Sequence, residues 1–386
     1  MSTQSSYEYP ALVSYEPNPK PVWKLEKVKI PPKAPGDHQV KVRLVATGIC
    51  HSDIIVGSVP GNAGPGFSYP RILGHEGVGI VEEVGSGVTT TKVGDKVILS
   101  YNYCGNCDLC RDNKQPYCLQ WVALNIVGKP GLFEDAKSGE TVTGGFFGQS
   151  SFAGASIVSE TSVVNVTNLI ENDNELRLFA PLGCGVMTGS GAVLNGAEAK
   201  THDIVMVTGL GGVGLGAVMA AKIAGCREVI AVDRIASRLD LARQLGATKV
   251  IDTSAAGEKG DLVGEAARVV NGQRISIVIE TTGAVPVIEA CMKAMGKRGR
   301  HLQLGVPPPG TEFQFPLSTF FSDNKRFECH YLGETTGQEQ IPKMIEWYRD
   351  GKLPLEKFVK FFPASDAMAA MQSMQDGSSI KAVIVW

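Results

Sequence analysis

Residues 204–214, IVMVTGLGGVG, join an apolar run of strand length to a glycine-rich turn, and their reading decides the fold. The last six, 209–214, spell G-x-G-x-x-G. Alone that pattern is weak, because a glycine-rich turn that merely connects a strand to a helix has the same look. Context raises it. Gly209, Gly211, Gly212 and Gly214 let a backbone approach a pyrophosphate, and the amino terminus of the following helix offers free N–H groups. An acidic residue, Asp233, ends the next apolar run, 24 positions beyond Gly209. A carboxylate there accepts hydrogen bonds from ribose hydroxyls and repels a 2′-phosphate, so NAD is expected and NADP is disfavoured. Arg234 and Arg238 stand close by as candidate phosphate partners and bear on that choice.

Outward from this turn, apolar runs alternate with helical stretches: Gly212 to Ala224, Glu228 to Asp233, Ala236 to Leu245, Ile275 to Glu280 and His301 to Leu304. The alternation predicts an α/β unit, a doubly wound parallel sheet with crossover helices. The first half differs. Short Val-, Ile- and Gly-rich runs such as Val40 to Val45, Gly77 to Glu83 and Asp95 to Ser100, broken by turns, predict an irregular β-rich region. A chain of 386 residues exceeds what one hydrophobic core organises, so two domains are expected. The tail, ending in the apolar run 381–386, is expected to rejoin the first. The expected division is 1–185, 186–331 and a returning 332–386. The loop from Gly57 to Pro70 reads as the most irregular segment.

Charged residues at 20% and a net charge of −2 give no bias toward nucleic acid or an anionic membrane, and neither is an expected partner. The amino terminus carries no secretion pattern, and no run of about 18 apolar residues occurs, so a cytoplasmic protein is expected. Nine cysteines, an odd count, argue for reduced thiols, some of them metal ligands, over a disulfide framework.

Four of the nine, Cys104, Cys107, Cys110 and Cys118, have the spacing C-x2-C-x2-C-x7-C, which fits a closed four-thiolate structural zinc site. An iron–sulfur cluster is the rival, though nothing else in the chain suggests electron transfer. A closed site has no position for a substrate, so chemistry must lie elsewhere. Cys50 in GICHSD, His75 in GHEG and Cys184 in PLGCGVMTG are candidates, each ambiguous alone.

Taken in order, GICHSD, GHEGVGIVEEVGSGV, VGDKV, the four-cysteine lobe, LGCGVMTG, VTGLGGVG and GSSIKAVIV resemble the zinc-containing alcohol dehydrogenases of the medium-chain dehydrogenase/reductase family. The resemblance covers essentially the whole chain. It implies a Rossmann coenzyme domain beside a GroES-like β-rich catalytic domain, two zinc ions per chain, NAD, and a homodimer or homotetramer. It also implies reversible oxidation of an alcohol to an aldehyde. By this resemblance Cys50, His75 and Cys184 are catalytic zinc ligands, Glu76 is an acidic residue near the metal, and Asp53 orients the ligand histidine. Ser52 takes the alcohol proton, His51 and Lys381 contact the coenzyme pyrophosphate, and Thr188 and Val213 pack on the nicotinamide. Many family members carry a histidine five residues after the first zinc cysteine, as the far end of a proton relay. Here that position is Ile55.

Within the family, GGFFGQSSFAG at 144–154 looks most like the aryl-alcohol (benzyl alcohol) dehydrogenases. Phe146, Phe147 and Val306 then fall at substrate-pocket positions and imply a flat aryl or allylic primary alcohol. Two other readings are a reductase of larger carbonyl compounds and a non-catalytic relative that keeps only the lobe zinc.

Overall fold

The apolar run at 204–208 is the middle of a parallel sheet. Its five residues are all buried, because helices cover both faces, and Val, Ile and Met fill such a strand without alternation. Among the residues that this computed structural model describes (8–31, 35–64, 67–254, 261–308 and 310–386), the sheet has six strands. In spatial order they are Lys249–Asp252, Glu228–Asp233, Ile204–Thr208, Ile277–Glu280, Arg300–Gln303 and Arg326–Cys329. All neighbours run parallel. The order reverses between Ile204–Thr208 and Ile277–Glu280, which is the doubly wound Rossmann arrangement read from the sequence. Ile204, Met206, Ile230, Val232 and Val278 pack against Ile288 and Met292 of the helix Val285–Ala294 to form its core.

The other unit is β-rich. Glu8–Tyr15, Val22–Lys29, Lys129–Asp135, Thr141–Gly144 and Arg71–Ile72 close a barrel. A second sheet contains Gln39–Gly48 and Glu76–Val84 side by side, antiparallel. The last strand, Lys381–Val385, lies antiparallel to Gln39–Gly48, pairing Val383 with Gly48. Leu12, Ile72, Phe133, Phe146 and Phe152 fill its core together with Met371 and Ile384 from the end of the chain.

The two compact units are Met1–Cys184 with Thr336–Ile345 and Phe358–Trp386, and Gly185–Thr335 with Glu346–Lys357. The returning tail is therefore not one piece, since Glu346–Lys357 packs with the coenzyme unit. Of the loop 57–70, residues 65 and 66 lie outside the described residues.

Candidate active site and metal centres

The lobe is built from local turns. Cys107 precedes the one-turn helix Asp108–Arg111, Cys110 lies within it, and Cys118 follows the turn Gln115–Tyr117. This brings the four sulfurs of Cys104, Cys107, Cys110 and Cys118 within 4.8 Å of one another, and none forms a disulfide. Backbone N–H groups point at the sulfurs, from Cys107 to Cys104 Sγ and from Cys104 to Cys118 Sγ, each at 3.4 Å. The N–H groups of Leu119 and Cys110 pull the Cys107 thiol down to about 6, whereas burial pushes Cys110 up to about 12. Thiols gathered without bonding and solvated by amides are what a thiophilic cation requires, so the residues fit zinc.

The second set comes from three distant elements. Cys50 precedes the helix His51–Gly57, His75 precedes the strand Glu76–Val84, and Cys184 ends the turn Ala180–Gly183. Their ligand atoms lie within 4.8 Å of each other. Gly74 allows the approach: its φ is +86°, and a Cβ there would sit 2.5 Å from the Phe152 backbone nitrogen. Asp53, fully buried, orders the group. Its Oδ1 accepts from His75 Nδ1 at 3.0 Å and from the Gly74 N–H at 3.1 Å, and its Oδ2 accepts from the Cys50 N–H at 2.9 Å. That leaves His75 Nε2 buried and, among the described residues, without a hydrogen-bond partner. The Cys184 thiol holds Cys50 well below the ordinary thiol range despite burial, and Cys184 is raised in return. An orphaned imidazole nitrogen beside two gathered cysteine sulfurs fits a zinc ion with one open position. The Ser52 hydroxyl is 3.8 Å from Cys50 Sγ, and His51 is exposed beside it.

In the other unit the turn 209–214 opens the helix Gly212–Ile223. A Cβ on Gly214 would lie 1.8 Å from the Gly209 oxygen, so only glycine permits this strand-to-helix turn. Thr281 Oγ1 donates to the oxygens of Thr208 and Gly209 at 2.8 and 2.9 Å and pins the turn from the next strand end. Asp233 ends its strand and braces the same turn: Oδ2 accepts from the Leu210 N–H, and Oδ1 from the Arg234 and Ile235 N–H groups. Oδ1 is filled by its two N–H groups, but Oδ2 keeps acceptor capacity for a ribose hydroxyl, so the cradle fits a dinucleotide. Val213 is half-buried on the first turn of that helix, and Gly211 beside it has open space where a Cβ would be. Thr188 on the helix Gly185–Gly191 and Arg238 on Ala236–Leu245 are also half-buried, and Val306 is exposed.

Residues 36–168 match the alcohol dehydrogenase GroES-like domain, and 212–350 match the zinc-binding dehydrogenase domain. The chain is 33% identical to geraniol dehydrogenase of Castellaniella defragrans over 94% of each protein. It is also 33% identical to S-(hydroxymethyl)glutathione dehydrogenase of Escherichia coli, over 97% of this chain and 98% of that one. The crystal structure of benzyl alcohol dehydrogenase from Acinetobacter calcoaceticus superposes with a TM-score of 0.87 at 33% identity, covering 98% and 99% of the two chains. The chain belongs to the zinc-type alcohol dehydrogenases.

It is thus a zinc-dependent oxidoreductase that acts on small alcohols and aldehydes. No described helix is long and apolar enough to cross a membrane.

Three expectations carried over from other zinc-type alcohol dehydrogenases meet a different geometry here. Lys381, expected on the pyrophosphate, is 3% exposed, and its Nζ donates to both Glu76 oxygens at 2.8 Å and to the Ile49 oxygen at 3.1 Å. Glu76 is accordingly outside the three-residue ligand group, with its oxygens turned to the lysine. Burial nevertheless pushes its carboxyl up to about 7 against the pull of Lys381. Phe146, expected in the substrate pocket, is fully buried in the barrel core, and only Phe147 of the pair stays half-buried.

Two residues escaped the sequence reading. Gln149, fully buried, donates through Nε2 to the oxygens of His75 and Ser100 at 2.9 Å each and accepts from the Gly77 N–H. The Ser100 hydroxyl then donates to Gly183, next to Cys184, so this chain of bonds links two ligand loops. Trp121 is the other, edge-on to Phe147. In the sequence the segment GQSS carries only the aryl-alcohol resemblance, and nothing in it marks Gln149 as a staple.

Proposed function

We propose that this dehydrogenase reversibly oxidises aryl or allylic primary alcohols to aldehydes, with NAD as hydride acceptor and two zinc ions per chain. The observation that carries the metal assignment is His75, whose Nε2 is buried and unsatisfied beside Cys50 and Cys184. Zinc held by those three residues supplies a Lewis acid for an alcohol or carbonyl oxygen. NAD on the turn 209–214 and Asp233 supplies the hydride acceptor.

The chain's own groups do the rest. Ser52 takes the hydroxyl proton, and His51, next to it and exposed, passes it to solvent and is assigned a contact with the coenzyme pyrophosphate. Thr188 and Val213 are assigned to the nicotinamide, and Phe147 and Val306 to the organic part of the substrate. Half-buried Phe147 and Trp121 offer apolar area to a planar group. Geraniol and benzyl alcohol, after which two relatives are named, are an allylic and an aryl alcohol. A homodimer or homotetramer is supported by Leu317 and Phe321, 70% and 87% exposed just before the edge strand Arg326–Cys329.

The test is the absorbance of reduced nicotinamide after mixing the protein with benzyl alcohol or geraniol and either NAD or NADP, with Cys184→Ala as control. NAD-selective reduction that the control abolishes supports the whole reading. Turnover only on unrelated alcohols discards the aryl and allylic assignment, and equal use of NADP discards the role given to Asp233.

A further inference from the structure

The imidazole of His75 is held by three groups: Asp53, Phe147 and, edge-on at 5.5 Å, Phe146. Asp53 holds one edge through Nδ1, but a single hydrogen bond leaves a ring free to tilt about it. The face is covered by Phe147, stacked at 4.3 Å between centroids with the planes 24° apart. Phe147 itself has φ of +49°, a region that a bulky residue seldom occupies. It stays there only because its neighbours hold it. Those neighbours are Phe146, at 4.9 Å and 70°, and Trp121, at 5.6 Å and 90°.

Trp121 belongs to the lobe. Its N–H donates to the Cys118 oxygen at 2.8 Å, and its own oxygen accepts from Asn125 Nδ2 at 3.1 Å. Its ring lies 5.4 Å from that of Tyr101. Cys118 is one of the four clustered thiols. A continuous series of contacts therefore runs from the lobe sulfurs through Trp121 and Phe147 to the catalytic histidine. Edge-on and stacked aromatic contacts are directional, so displacing one ring re-aims the next.

We propose that Trp121 is a positioning residue that transmits the order of the four-cysteine lobe to the ring of His75 through Phe147. The lobe then fixes the tilt at which Nε2 meets its metal, in addition to bracing the chain. This rests on the reading of Cys50, His75 and Cys184 as a metal site.

The full-length protein, loaded with zinc or with cobalt(II), is challenged with EDTA, and release from each site is identified with Cys184→Ala and Cys107→Ser references. In Trp121→Leu the triad metal leaves about tenfold faster, the size expected when an outer partner of a metal ligand is lost, while the lobe keeps its metal. The visible bands of cobalt at the triad shift, and Trp121→Phe restores rate and spectrum. Cys107→Ser, which empties the lobe, gives the same acceleration. The double variant is no faster than either single one, because both cut one series of contacts.

Wild-type release and an unchanged spectrum in Trp121→Leu overturn the proposal, as does a fully additive double variant. Should Trp121→Leu fail to fold, Phe147→Leu cuts the same series at its next link and must accelerate release; an unchanged rate there overturns it equally. A wild-type chain that holds metal only at the lobe overturns the triad reading along with this one. Metal at both sites with unchanged release overturns the coupling alone.

Discussion

The two cysteine sites sit in one structural unit and are made in opposite ways. The lobe collects four sulfurs from residues 104 to 118 by local turns, and the sulfurs are solvated by the lobe's own backbone N–H groups. The triad gathers Cys50, His75 and Cys184 from three elements, and none of the three can reach the others without the tertiary fold. A local site needs only its turn to form, whereas a dispersed one needs outside groups to hold each ligand. That is where the buried polar residues are spent: Asp53 on the His75 ring, Gln149 on its backbone, and Ser100 beside Cys184. The lobe shows what a sequence can encode in one loop, and the triad shows what only packing can assemble.

The sharpest way to break the contrast is to delete one ligand from each site. Cys184→Ala removes a third of a three-residue set, so the triad loses its metal and turnover is abolished, while metal analysis still finds the lobe filled. Cys107→Ser should act on stability first. Structural zinc contributes folding free energy directly, so the midpoint of thermal unfolding falls by roughly 5–10 °C, measured by calorimetry. If Cys107→Ser leaves the melting temperature unchanged, the lobe is not a brace, and the division of labour between the sites is wrong.

A subtler probe exploits a group that only the dispersed site possesses. Asp53→Asn keeps the shape but places an amide where three N–H donors converge, from His75, Gly74 and Cys50. Metal affinity at the triad is expected to fall about 10- to 100-fold, measured by competition with a chelator, and affinity at the lobe should not change. Equal losses at both sites would mean that the substitution loosens the whole unit and that Asp53 has no particular hold on His75.

The same contrast explains what could be read in advance. The strand, glycine turn and acidic strand end of the coenzyme unit occupy 204–233, and local chemistry dictated their arrangement, as it did for the lobe. The triad was legible only through resemblance, because no spacing rule relates residues 50, 75 and 184. The pairing of Lys381 with Glu76 spans 305 positions and depends on the last strand lying beside Gln39–Gly48, which no local pattern encodes. Phe146 and Phe147 are chemically identical neighbours. A turn with a left-handed residue sends one into the barrel core, edge-on to His75, and lays the other flat on the His75 face, and the letters FF carry no sign of which.

The smallest expected effect concerns the proton, where this chain departs from many relatives. Ile55 stands three residues after Ser52 and four after His51 on the short helix His51–Gly57, a spacing that places side chains on one face. It is half-buried and has no group to carry a proton, so a route from Ser52 must pass by way of His51, water or the coenzyme ribose. Ile55→His would supply an imidazole with a pKa of about 6.5 on that face. Above that value it is neutral and accepts a proton; below it the ring is charged and the added path closes. The acid limb of the pH–turnover profile should therefore move, with steady-state rates near and above neutrality raised modestly and those well below the imidazole pKa unchanged. A profile that superimposes on the wild type, with the metal content of both sites intact, would show that proton exit does not pass position 55 and that the substitution found in this chain carries no kinetic cost.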